Sequence, residues 1–309
     1  MAFEFKAIPL PQRVLFWSLW QRHDRPLATI LPMSSPATAP PARNPNALRF
    51  DGVRFGYGSR PIVDRLSLDV YRGELLAIMG GSGVGKTTLL RLMSGLVEPS
   101  HGSIEIFGEP LQTTDQESLY AIRKRIGLLF QFGALFTDLS CFENVAFPLR
   151  EHANLSEGIL RDLVLLKLEA VGLRGAANLM PSEVSGGMAR RVALARAIAL
   201  DPELILYDEP FAGLDPISLG VTARLIRRLN DALGATSIVV THDVAETFAI
   251  ADRVAVLAPS DSGARLVALG SPQELRQSSD PYVKQFLAGD ESGPVRFHMS
   301  AAPIEDDFT

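Results

Sequence analysis

GELLAIMGGSGVGKTTLLRLMSGL, residues 73–96, decides the fold. Its first part, GELLAIMG, is a short apolar run without polar alternation, the pattern of a strand covered on both faces. Its last part, GKTTLLRLMSGL, reads as a helix. Between them GGSGVGKTT, residues 80–88, satisfies G-x-x-x-x-G-K-[ST] through Gly80, Gly85, Lys86 and Thr87. Glycines let such a backbone curl, so that the N–H groups of Gly80, Gly81, Ser82, Gly83, Val84, Gly85, Lys86, Thr87 and Thr88 can face phosphate oxygens at the start of the helix. The Lys86 ammonium is expected to neutralise β- and γ-phosphate charge, and the Thr87 hydroxyl to coordinate Mg²⁺. A Gly-rich turn with no ligand is the competing reading, and the strand before it and the helix after it argue against that.

Working outward, ALRFDGVRF (47–55) and IVDRLSLDV (62–70) alternate with a short period around the turn-rich FGYGSRP, as expected of antiparallel strands. Downstream, SIEIFG and IGLLF read as strands, and residues 138–185 as mainly helical, with Leu160, Leu163, Val164, Leu168 and Val171 at helical spacing. Next come a helix after Gly187, the strand LILYDE (204–209), a helix carrying Ile217, Val221, Leu225 and Leu229 on one face, and the strand TSIVVT (236–241). Alternating strands and helices predict an α/β fold with a largely parallel sheet covered on both sides.

A phosphate-binding lysine needs acids to hold a metal and to activate water. LILYDE offers Asp208 for Mg²⁺ and Glu209 to polarise the attacking water, two adjacent carboxylates at a strand end. Upstream, VSGGM (184–188) opens the helix ARRVALARAIAL. Ser185, Gly186 and Gly187 make an ordinary N-cap, and the same geometry makes a second anion-binding helix terminus. Two phosphate cradles on one chain are most simply explained if the second serves a nucleotide bound by another copy.

This set of motifs, from about residue 47 to 275, resembles the ATP-binding cassette family of transport ATPases. The resemblance implies a P-loop NTPase cassette with a RecA-like core, an antiparallel β-subdomain and an inserted α-helical subdomain at about 138–185. It implies ATP as ligand with Mg²⁺, and an ATPase acting as a dimer of cassettes. By the same resemblance Tyr57 stacks on adenine and Gln131 in LLFQFG senses Mg²⁺ and the γ-phosphate. Asp215 in AGLDP matches the family's D-loop, and His242 in VVTHD its γ-phosphate-contacting histidine. Met188 departs from the usual glutamine of the signature motif, and Val184 from the common leucine.

A narrower resemblance is to the ATPase subunits of Mla phospholipid transporters. It rests on FQFGALFTDLSCFENVAFPLREH (130–152), KLEAVGLRGAANLMPSEVSGGMARR (167–191) and GPVRF (293–297). It implies an integral membrane permease as partner, an MCE-domain protein, a small regulatory subunit, and a peripheral location on the cytoplasmic face of the inner membrane. A cassette for another substrate, or a nucleotide-dependent regulator without turnover, is the alternative.

Composition sets limits around these motifs. With 309 residues and 47% hydrophobic content the chain is long enough for a substantial core without disulfides, and its single cysteine, Cys141, excludes a disulfide framework or cysteine-clustered zinc site. A net charge of −5 argues against general nucleic-acid binding. No apolar run reaches the roughly 18 residues that span a bilayer, so a soluble, cytoplasmic chain is expected. The cassette is expected over 46–287. Residues 1–45, with 8 of the 21 prolines, read as a disordered arm, although RVLFWSLW (13–20) could lie on a membrane surface and Met33 could be the true start. Residues 288–309 read as a polar tail. His23, His101, His152 and His298 lack metal-ligand spacing and are expected at the surface.

Overall fold

The computed structural model describes residues 46–290, with 293 and 294. The arm at 1–45, including RVLFWSLW, and most of the tail lie outside the described residues.

Strands β1 (Asn46–Tyr57) and β2 (Arg60–Tyr71) form an antiparallel hairpin, and the buried strand β3 (Leu75–Gly80) follows. After it come α1 (Lys86–Met93), β4 (His101–Ile106), β5 (Glu109–Pro110), α2 (Gln116–Arg123) and β6 (Ile126–Leu129). The helices α3 (Cys141–His152), α4 (Glu157–Ala170) and α5 (Gly186–Ala197) precede β7 (Leu204–Asp208). The chain continues through α6 (Pro216–Leu233), β8 (Thr236–Thr241), α7 (Val244–Ile250), β9 (Arg253–Ala258), β10 (Arg265–Gly270), α8 (Pro272–Arg276) and α9 (Pro281–Ala288).

The strands form two sheets. One is antiparallel, in the order β2-β1-β4-β5. The other has six strands in the order β10-β9-β3-β8-β7-β6, parallel throughout except at the β10 edge. The expected α/β class and mostly parallel sheet are therefore borne out. Because strand side chains alternate between faces, Leu76, Ile78, Leu204, Leu206, Ile238 and Val240 pack on one side with α1 and the antiparallel sheet. Ile205, Tyr207 and Val239 pack on the other side with α3 to α6, and Ala77, Met79, Val254 and Val256 with α7 to α9. All six residues of β3 and of β8 are buried, which is why neither alternates polar with apolar residues; β8 carries its Thr and Ser at its two ends around the apolar IVV.

Two expectations need correcting. The stretch FGYGSRP is mostly strand, because pairing runs as far as Tyr57 opposite Arg60 and leaves a two-residue turn at Gly58 and Ser59, with Gly58 at φ +57°. On α6, Leu225 and Leu229 are buried with Ile226, but Ile217 is 79% exposed: the first turn projects beyond the core that the rest of the helix covers.

Candidate functional site

The site lies where parallel strands end. Neighbouring strands β3, β8 and β7 deliver Lys86 and Thr87, His242, and Asp208 and Glu209 from their carboxyl ends, the edge where open α/β sheets bind ligands. After β3 the backbone turns through Gly83 and Gly85, at φ +74° and +103°. A Cβ on Gly80 would lie 2.6 Å from the Leu257 carbonyl oxygen, and one on Gly85 2.8 Å from Ile62 Cγ2. Only glycine fits at both. Helix α1 then starts with no acidic residue in its first turn and no side-chain cap at Gly85, leaving its N-terminal dipole to an external anion.

Lys86 is buried, and its Nζ donates to Gly80 O at 2.9 Å and Gly81 O at 3.2 Å. The same atom is 3.5 Å from Glu209 Oε1. Glu209 sits just past β7 at φ +44°, a left-handed conformation that a non-glycine residue adopts at a cost, and its N–H donates to Val240 O at 2.8 Å. That turn sends its carboxylate between Lys86 and His242, whose Nδ1 is 3.0 Å from Glu209 Oε2.

Thr87 Oγ1 donates to Asp208 Oδ1 at 3.2 Å. Burial pushes the Asp208 carboxyl above the usual carboxylate range and the neighbouring Glu209 charge adds to this, while the Thr87 hydrogen bond and the Lys86 charge pull it back. A hydroxyl and a carboxylate oxygen side by side are the hard donors that Mg²⁺ takes, so these residues fit the ion. Glu209, His242 and Asp243 also offer ligand atoms within 4.8 Å of one another. Two of those three groups are already hydrogen-bonded together, and one is an imidazole nitrogen, a poorer match to magnesium.

The other expected residues stand apart from this cluster. Tyr57 is half exposed at the end of β1, edge-on to Phe55, and its hydroxyl accepts from Arg91 Nη1 of α1 at 3.2 Å. Gln131 is exposed, two residues beyond β6, and among the described residues no hydrogen bond joins it to Thr87 or Asp208. Ser185 is the N-cap of α5 and accepts from Met188 N at 3.2 Å, the plain capping bond its sequence allowed. Gly187 packs against α6, where a Cβ would meet Ser218 Oγ at 2.9 Å. Asp215 caps α6 by accepting from Ile217 N and Ser218 N, and hydrogen bonding from Ser218 holds its carboxyl below the ordinary value. His101 and His152 are exposed; His23 and His298 lie outside the described residues. Arg91 and Arg190, which the sequence did not single out, also contact this region: Arg190 Nη2 donates to Ala212 O at 2.8 Å, just behind Glu209.

A family model described as ABC transporter matches residues 63–212. The intermembrane phospholipid transport system ATP-binding protein MlaF of Haemophilus influenzae is 55% identical over 258 residues, covering 84% of this chain and 96% of that protein. Among solved structures, cbiO1 of Clostridium perfringens, part of the ABC transporter complex cbiONQ, superposes with a TM-score of 0.70 at 28% identity over 76% of this chain and 92% of its own. The cassette MJ0796, as a dimer in a post-hydrolysis state bound to ADP and phosphate, gives 0.65 at 31% identity over 73% and 98%. With the strand order, the glycine loop and the acid pair on the same edge, these matches place the chain in the ABC transporter family, as one of its ATP-binding cassettes.

Proposed function

We propose that the chain is the ATP-hydrolysing subunit of a bacterial transporter that moves phospholipid between the inner and outer membranes. The observation that carries the reading is the convergence of Lys86 and His242 on the two carboxylate oxygens of Glu209, beside the Thr87–Asp208 pair. The phospholipid assignment rests on the similarity to MlaF along nearly the whole length of that protein.

The ATP phosphates lie on the N–H groups of residues 80–88, with Lys86 between the β- and γ-oxygens and Tyr57 against the adenine. Magnesium, held by the Thr87 hydroxyl and Asp208 with Gln131 as a further ligand, supplies charge neutralisation at the phosphates. Glu209 accepts a hydrogen bond from the attacking water and aligns it with the γ-phosphorus. His242 holds Glu209 through Nδ1 and offers Nε2 to the γ-phosphate.

Ser185 to Gly187, together with Asp215 at the start of α6, serve the nucleotide of a second copy. Two ATP molecules then join two cassettes, and loss of the γ-phosphate releases them. Beside the Gln131 loop a groove of about 440 Å³, lined partly by Phe130, Phe136, Phe147 and Pro148, suits an apolar helix of a separate permease. Among the described residues no helix is long and apolar enough to cross a membrane. In this reading the permease carries the lipid path, the cassette sits peripherally on the cytoplasmic face, and an MCE-domain protein and a small regulatory subunit complete the assembly.

The test is purification of the tagged chain from native membranes. Co-purification of a permease with an MCE-domain protein and bound phospholipid, with ATP-dependent phosphate release, is the expected result. A permease without an MCE-domain partner, carrying another solute, would overturn the lipid assignment.

A further inference from the structure

Arg190 is 4% exposed on α5, one turn beyond Ser185 to Gly187, and among the described residues no carboxylate lies within 4.0 Å of it. Its hydrogen bonds go to backbone carbonyls of two separate segments. Nη2 donates to Ala212 O at 2.8 Å and Nη1 reaches Phe130 O at 3.5 Å, with the guanidinium 5.8 Å from the centre of the Phe132 ring. Ala212 belongs to the turn that Glu209 begins, its N–H donating to Glu209 O at 3.2 Å. Phe130 immediately precedes Gln131, and its carbonyl also accepts from Gly133 N at 2.9 Å.

Within the Gln131 loop the turn bond from Gly133 N to Phe130 O leaves the carbonyls of Gly133 and Ala134 to partners outside the loop. Phe132, Gly133 and Ala134 lie in succession at φ +61°, +82° and +47°, a conformation that two of them, being non-glycine, adopt only when held. The holding comes from α5: Arg196 donates to Gly133 O at 2.7 Å and to Ala134 O at 2.9 Å, while Arg190 takes Phe130 O. Arg190 differs from Arg196 in spanning outward to the Glu209 turn. A buried cation with only carbonyl partners is a poor stabiliser compared with an apolar side chain of similar size, so packing alone gives no reason for an arginine here. A planar fork of donors can hold two carbonyls of different segments in one fixed relation, which a single ammonium cannot.

We propose that Arg190 is a positioning residue for hydrolysis: it ties the Gln131 loop to the turn behind Glu209, so that displacement of the loop moves the carboxylate that aligns water. The proposal rests on the reading of Glu209 as the water-aligning group. It adds a connection from the loop beside the permease groove to that group, running through the body of the helix that also presents Ser185 to Gly187.

The test uses the full chain with ATP and Mg²⁺, measuring kcat, KM, thermal unfolding and nucleotide stoichiometry for Arg190→Met, Arg190→Lys, Gln131→Ala and the Arg190→Met/Gln131→Ala pair. Arg190→Met is expected to lower kcat about tenfold per bound nucleotide with KM changed less than about threefold, the pattern of lost alignment as opposed to lost binding. Arg190→Lys is expected to keep the fold and not restore kcat, so it decides the matter if the Met variant fails to fold. Gln131→Ala should have much less effect in the Arg190→Met background than alone, since linked sites are non-additive. Wild-type kcat per bound nucleotide in either Arg190 variant, or additive effects in the pair, would overturn the proposal. Unimpaired turnover by Glu209→Gln in the same assay would instead mark failure of the reading beneath it.

Discussion

His242 Nδ1 lies 3.0 Å from Glu209 Oε2, joining the end of β8 to the end of β7. A carboxylate can only accept, so Nδ1 carries a proton in this contact, and Nε2 donates to a phosphate oxygen only when it too is protonated. Each group therefore helps to orient the other, with Lys86 on the second oxygen of Glu209. His242→Ala is expected to bind ATP nearly as the wild type does and to lose roughly 10²-fold in kcat, a loss of the size seen when an aligned catalytic group is removed. Steady-state phosphate release with a parallel nucleotide-binding titration checks this.

Lys86 is the cation of the glycine loop, bonded to the carbonyls of Gly80 and Gly81. Lys86→Ala removes the charge facing the β- and γ-phosphates, so ATP affinity should fall at least about tenfold and discrimination between ATP and AMP should shrink. Fluorescent-nucleotide titration measures both. Equal affinity for ATP in the two proteins would contradict the placement of phosphate on this loop.

The Thr87 hydroxyl and Asp208 carboxylate are the proposed magnesium donors. Chelation should stop phosphate release and added Mg²⁺ restore it. Asp208→Asn should raise the half-saturating Mg²⁺ concentration about tenfold, as expected when a ligand loses its charge. A magnesium titration of turnover at saturating ATP gives the comparison.

Strand β6 is packed closely on α5 at Gly127, where an added Cβ would lie 2.3 Å from the Ala197 carbonyl oxygen. The nearest atom is helix backbone, with Pro202 Cγ 3.0 Å away, so Gly127→Ala must push strand and helix apart. A destabilisation of about 1–3 kcal/mol is expected, seen as a fall in Tm of several degrees. Thermal unfolding with and without ATP tests it.

The sequence disclosed most where one constraint acts alone. LLAIMG (75–80) has no polar side chain because β3 is covered on both faces, and the glycines at its end and in the loop after it stand where a Cβ would strike Leu257 or Ile62. Asp208 and Glu209 were legible because an acid pair closes an apolar strand. Other features depend on contacts between distant segments. Ile217 continues the apolar stripe of α6 yet projects beyond the core, and β9, β10 and α7 to α9 are too short for periodicity to distinguish them. Nothing in ARRVALARAIAL itself marks its arginines, yet in the fold Arg190, Arg191 and Arg196 each donate to backbone carbonyls elsewhere. No local pattern reveals such partners.

The central claim is that two copies close on ATP and that Glu209 opens them again by hydrolysis. Its most direct test is light scattering on size-fractionated Glu209→Gln protein with Mg²⁺ and ATP, with bound nucleotide counted. A dimer holding two ATP molecules, dispersed by substituting ADP, is the predicted result, with wild-type protein returning to monomers as phosphate is released. A Glu209→Gln chain that stays monomeric while fully loaded with ATP would contradict it.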